Sequence, residues 1–266
     1  MQTYSRQDLD TALAATGLPE GALVFVHTAL YAPGRVADTP LAEISSRLYA
    51  GLRKILGPRG TLAVPTFHPG FCQGEPFDRV HTPATGMGSF AEYIRLLPNA
   101  HRSPHGVYSI AAEGPLAKEL TRRDTPSAFG QDGPFDGLIE YDAHLLMFGC
   151  TVEATPFIRW AEERVGVPYR RWLICRGRTV DGDTSAMRSF HLYAGADGRE
   201  PALCLAPLRT ALDRTGELSR SPLGASSIER CRARDFAVAA VELLQQDPTA
   251  LLARRPTDNA RRPEQR

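Results

Sequence analysis

The 266-residue chain has no apolar run near the roughly 18 residues that a membrane-spanning helix needs, and its opening, MQTYSRQDLDTALAATG, carries no hydrophobic export segment. We therefore expect a cytoplasmic protein without a membrane partner. Cysteine is sparse and patternless: Cys72, Cys150, Cys175, Cys204 and Cys231 are odd in number and form no C-x-x-C pair. Neither a disulfide scaffold nor a metal site is expected. An excess of one charge is also missing, with 31 Lys+Arg against 30 Asp+Glu, nearly all of the positive charge being arginine. A nucleic-acid partner is not expected from that balance. Internal repeats and a clear linker are absent. What is there is an ordinary globular mixture, 42% hydrophobic and 23% charged, long enough to bury a core unaided. We expect a single domain over 1–253, with 254–266 as a disordered tail.

Periodicity predicts a helix over Arg6–Ala15, a buried strand over Ala22–Val26 leading into His27-Thr28, and a helix from Leu41 to Ile55 behind Thr39-Pro40. Gly57-Pro58-Arg59-Gly60 stops that helix, and a strand follows at Thr61–Pro65. Thr66–Gly88 lacks sustained periodicity and is a candidate substrate loop. Helices then fit Ser89–Leu97, Pro115–Leu120, Phe135–Glu140, a segment capped by Thr155-Pro156 and running to Arg164, and Asp235–Gln245. Strands fit Tyr108–Glu113 and His144–Phe148, and those near Trp172–Cys175 and Ala186–Leu192 form an antiparallel addition. The fold class is α/β, with a mostly parallel central sheet flanked by helices.

Polar residues cluster where strands end, which is where open α/β sheets bind ligands. They are His27-Thr28, Arg102-Ser103 with His105, and Thr151 to Thr155 followed by Arg159 and Glu162. His105 is the most chemical of them, because an imidazole can accept a proton from an attacking amine near neutral pH. A single histidine is as readily a satisfied polar group in a core.

The segments GALVFVHTAL, LGPRGTLAVPTF, EPFD, GMGSFAEYIRLLPNAHRSPHGVYSIAAEGPLA, FGQDGPFDGL, HLLMFGC, TPFIRWAEE with PYRRW, and LGASSIERCRARDFAVAA run in this order from about Ser5 to Leu252. Taken together they resemble the antibiotic N-acetyltransferase family typified by the aminoglycoside 3-N-acetyltransferases. The resemblance implies an α/β fold with acetyl-CoA or another acyl-CoA as co-substrate, no metal, and direct attack of a small-molecule amine on the thioester. It implies that His27, Thr28, Arg102 and Ser103 lie at the cofactor cleft. Ala29 stands where the family usually has a second hydroxyl, and Gly106 where it usually has proline.

Two departures bear on chemistry. The family usually carries, two residues before Ala161-Glu162, a histidine that serves as general base, and here that position is Arg159. A guanidinium cannot accept a proton at neutral pH. His105 and then His191 are the best substitute bases, with His27 behind them, and Arg159 becomes a candidate clamp for a substrate carboxylate or, more plainly, a partner of Glu162 or Glu163. The family's acids near Ser189–Gly195 are also missing, leaving His191 and Tyr193, so that Glu75, Asp78, Glu162 and Tyr193 remain as candidate substrate contacts. Both departures favour an acceptor that is not a polycation. Cys150 could carry an acyl group, although a small buried residue is the plainer reading, and Phe157, Trp160 and Trp172 read as packing.

These residues predict an acyl-CoA-dependent N-acyltransferase for a small amine, with a carboxylate-bearing natural-product intermediate as a candidate. The competing readings are a family member turned to CoA-independent elimination, cyclisation or hydrolysis, a catalytically silent binder, and an ordinary aminoglycoside enzyme fed by Glu75 and Asp78. Oligomeric state is left open.

Overall fold

A computed structural model describes residues 2–253. Its elements in chain order are β1 (Thr3–Tyr4), α1 (Arg6–Ala14), β2 (Leu23–Thr28), β3 (Arg35–Val36), α2 (Ile44–Leu56), β4 (Thr61–Pro65), β5 (Phe77–Asp78), α3 (Gly88–Arg95), β6 (His101–Arg102), β7 (Ile110–Glu113), α4 (Ala117–Thr121) and α5 (Pro134–Glu140), then β8 (His144–Phe148), α6 (Ile158–Val165), β9 (Arg170–Asp181), β10 (Thr184–Gly195), α7 (Ala206–Thr215), β11 (Ser219–Leu223), β12 (Ser226–Arg232) and α8 (Ala233–Gln246). The expected tail, 254–266, lies outside the described residues.

Local chemistry sets several boundaries. Ser5 and Asp8 close a capping box on α1: the Ser5 hydroxyl accepts the Asp8 N–H while the Asp8 carboxylate accepts the Ser5 N–H. α2 is preceded by a 3-10 turn at Leu41–Glu43 and buries Ile44, Leu48, Leu52 and Leu56 along one stripe.

Seven strands form the main sheet in the order β11-β12-β8-β2-β4-β7-β6. Only its centre is parallel, where β2 pairs with β8 and with β4. Both flanks are antiparallel, so the expected mostly parallel sheet holds for three strands alone. On one side the long 66–100 segment with α3 crosses over to β6, which runs in the direction of β4, and the short 103–109 turn then reverses the chain so that β7 enters between them antiparallel to both.

Alternation along the buried strands divides the core into two layers. Phe25, Ala63, Leu145 and Met147 face α5, α6 and α8 through Phe135, Leu138, Phe157, Ala161 and Phe236. Val24, Val26, Leu62, Val64, Leu146 and Phe148 face α1, α2 and α3 through Leu13, Leu48, Leu52, Phe90 and Ile94. Strands covered on both faces read as unbroken apolar runs, which is why β2, β4 and β8 were visible in the sequence. Each such large side chain contributes about 1.5–3 kcal/mol on burial.

A second sheet, β10-β9-β5, carries the antiparallel addition, longer than its apolar cores suggested at twelve residues per long strand. It packs through Phe71, Phe77, Val107, Cys175, Phe190 and Leu192. Here the cysteine reading is corrected, because Cys72 and Cys175 form a disulfide. Separated by 103 residues, they meet only once the 66–88 loop folds onto β9. A Cβ on Gly106 would lie 2.9 Å from the rings of both Phe71 and Phe190, so glycine lets the turn pack against both rings.

Candidate functional site

The carboxyl ends of β2 and β8 open into a cavity of about 310 Å³. Its walls are mostly apolar, from Val26, Pro65, Phe67 and Met87, and His27, Thr28 and Cys150 supply its polar groups. Gly149 makes this mouth possible: it sits at φ 71°, and a Cβ there would come 2.4 Å from the Ala29 carbonyl oxygen.

His27 is 8% exposed. Its Nε2 lies 3.2 Å from the Thr155 hydroxyl, which in turn accepts the Phe157 N–H at 3.3 Å. Burial pushes the imidazole down to about 3, so it is neutral at ordinary pH. Burial likewise pushes the Cys150 thiol up to about 11, which argues against a thiolate that carries an acyl group.

A second cavity, of about 220 Å³, shares Ala154 and Pro156 with the first and is lined by Glu153, Thr155, Arg159, Arg170 and Glu200. Arg159 Nη2 donates to Glu200 Oε2 at 2.7 Å, and its guanidinium lies 5.3 Å from the centre of the Tyr108 ring. Burial alone would lower the Arg159 guanidinium, yet Tyr108 and Glu200 outweigh it and hold it above its ordinary value. Its expected pairing with Glu162 or Glu163 is thus replaced by Glu200. Arg170 reaches Glu200 as well, at 3.3 Å, while its Nε stands 2.8 Å from Glu162 Oε2. Burial raises the Glu162 carboxyl against the opposing pull of Arg170.

His27, Thr28 and Arg159 are therefore gathered around two adjoining cavities, with Glu162 directly behind. The other expected site residues line neither. His105 is 2% exposed, and its Nδ1 accepts the N–H groups of Val107 and Tyr108 at 3.2 and 3.0 Å. Burial pushes it down to about 3, and it packs against the Phe190 ring. Its Nδ1 bonds hold the turn into β7, and it lines neither cavity. His191 sits half-buried on β10, edge-on to Trp172, away from both cavities.

Arg102 donates to the carbonyls of Thr66 and Thr82 and to the hydroxyl oxygens of Thr66 and Ser109, tying the 66–88 loop to the sheet edge. The Ser103 hydroxyl accepts the Ile110 N–H. Neither offers a group to the two cavities. Asp78 caps its own turn by accepting the Val80 and His81 N–H groups, and exposed Glu75 faces His68 at 3.6 Å. The Tyr193 hydroxyl donates to the Val167 carbonyl. Thr155 was noted in the sequence within the Thr151–Thr155 strand-end cluster and as a helix cap, but not as a partner of His27, and Glu200 went unnoticed in the aperiodic stretch GADGREP.

Among the described residues no group of three or more His, Cys, Asp or Glu could hold a metal ion, and no helix is long and apolar enough to cross a membrane. The chain is similar to aminoglycoside N(3)-acetyltransferase IV of Salmonella sp, 27% identical over 252 residues that cover 94% of this chain and 90% of that protein. It is similar also to aminoglycoside N(3)-acetyltransferase VII of Streptomyces paromomycinus, 28% identical with 90% and 91% covered. In fold it matches AAC-IIIb, solved as a binary complex with CoASH, at a TM-score of 0.78 and 22% identity, covering 96% of this chain and 100% of that one. The family model described as Aminoglycoside 3-N-acetyltransferase matches residues 25–245, and the chain belongs to that family.

Proposed function

We propose that this protein is an acyl-CoA-dependent N-acyltransferase, acting as a single cytoplasmic domain on a small amine that carries a carboxylate rather than on a polycationic aminoglycoside. The observation that carries the reading is the Arg159–Glu200 pair inside the second cavity. Two arginines, Arg159 and Arg170, meet two carboxylates, Glu153 and Glu200, so this cavity has no negative excess to attract a polycation. A zwitterion matches it: its carboxylate fits the Arg159 fork in exchange for Glu200, and its amine is left beside the released carboxylate. The adjoining apolar cavity would take the thioester end of the acyl-CoA. Attack of the amine on the thioester carbonyl then requires the two ligands to meet across Ala154 and Pro156.

Thiol release from acetyl-CoA tests the proposal, with L-amino acids and other carboxylate-bearing amines set against gentamicin. Faster turnover with the carboxylate-bearing amines is expected, and a clear preference for gentamicin would refute the substrate class. Arg159 also favours a second reading, CoA-independent elimination, cyclisation or hydrolysis, because it removes the usual proton acceptor. Turnover of an acceptor with no CoA present would mark that chemistry.

A further inference from the structure

Acyl transfer to nitrogen needs a proton acceptor, and an arginine at position 159 cannot be one. Among the ionisable groups near the two cavities, most are committed elsewhere. Glu162 is locked against Arg170, Glu200 bridges two arginines, Cys150 holds its proton, and His105 and His191 line neither cavity. His27 is different. It lines the first cavity, and Thr155, its hydrogen-bond partner at 3.2 Å, lines the second. The pair thus spans the wall that the two cavities share.

We propose that Thr155 and His27 form a proton relay that replaces the missing base, a role that rests on the acyltransferase reading above. Phe157 N–H occupies one lone pair of the Thr155 oxygen, which leaves the hydroxyl proton to point at His27 Nε2 and the other lone pair to face the acceptor cavity. As the C–N bond forms, the attacking nitrogen becomes acidic; Thr155 takes its proton and passes its own to His27. The C–S bond breaks, the departing thiolate takes the proton from the imidazolium, and Thr155 and His27 return to their neutral forms. The acceptor ammonium first gives one proton to solvent to become the free amine; a second proton then leaves nitrogen as the C–N bond forms and one arrives on sulfur, so no further reactant is required. Burial keeps His27 uncharged at rest, and the same burial makes its imidazolium a strong acid that gives the proton up readily to the departing thiolate.

Thr155 also holds the entry to α6 through Phe157, so the test must separate relay from cap. Thr155→Ser keeps both roles, whereas Thr155→Asn can still accept the Phe157 N–H but has no hydroxyl to relay a proton. With acetyl-CoA and the amine panel above, Thr155→Ser is expected to stay within about threefold of wild-type kcat. Thr155→Asn and His27→Asn are expected to lose at least about a hundredfold in kcat, with acetyl-CoA affinity by calorimetry and thermal midpoint nearly unchanged in Thr155→Asn. Equal activity in Thr155→Ser and Thr155→Asn, or an active His27→Asn, overturns the relay while leaving acyl transfer intact. A wild-type protein that releases no thiol with any acceptor overturns the transferase reading and the relay together.

Discussion

Arg170 Nε stands 2.8 Å from Glu162 Oε2, with the two side chains 1% and 0% exposed. Two charges removed from water in this way hold each other in place, and they pin β9 to α6 directly behind the acceptor cavity.

Removing Glu162 leaves Arg170 buried with exposed Glu200 as its remaining carboxylate partner. Glu162→Ala is therefore expected to lower the unfolding free energy by about 1.5–3 kcal/mol, read by urea denaturation. A change below about 1 kcal/mol would put the pair among weak surface ion pairs.

His105→Ala deletes the acceptor of two backbone N–H groups and opens space beside Phe190. The expected loss is about 2–4 kcal/mol of stability, with kcat per folded molecule retained. A large fall in kcat at unchanged stability would return His105 to the chemistry.

Acid should weaken the fold through the same burial. His27 and His105 have their folded values pushed down to about 3, below the ordinary 6.5, so each contributes stability that is complete above pH 6.5 and is lost as pH falls. Between pH 6.5 and 5 each histidine is expected to cost about 2 kcal/mol, measured as urea midpoints across that range. His105→Gln should flatten the slope, and an unchanged slope would contradict the burial argument.

The Cys72–Cys175 bond closes a long loop and ties the 66–88 segment to the β9–β10 hairpin. Cys72→Ala is expected to cost about 2–4 kcal/mol, and reductant should lower the wild-type thermal midpoint but not that of the variant. An equal response of both proteins to reductant would refute this contribution.

Arg159→His would restore a titratable ring but lose the fork that meets Glu200. The affinity for a carboxylate-bearing acceptor is expected to fall at least about tenfold, in line with the loss of a charge-assisted hydrogen bond, while acetyl-CoA affinity stays put. Unchanged acceptor KM would show that Arg159 does not touch the substrate.

The central scaffold was legible because β2, β4 and β8 are apolar on both faces and α2 keeps one clean stripe. α7, β11 and β12 were not. β12 buries Glu229, which accepts the Val152 N–H and binds Arg209 and Arg220, and a carboxylate in mid-strand hides the apolar pattern. Pro222 similarly disguises β11, an edge strand where a missing N–H is tolerated. His27, Thr28 and Arg159 were placed near the cleft by their positions at strand ends and in α6. The pairing of Thr155 with His27 and the arrival of Glu200 beside Arg159 are contacts across 128 and 41 residues, which no local pattern records. The contacts of His105 are local, since its Nδ1 turns back onto the Val107 and Tyr108 N–H groups.

The most direct test of the account is calorimetric titration of the purified protein with CoA and acetyl-CoA, which needs no knowledge of the acceptor. A saturable heat with a micromolar Kd, about −8 kcal/mol, is expected, with Thr28 and His27 at the occupied cavity. The absence of binding by either compound would contradict acyl-CoA-dependent transfer as the activity of this protein.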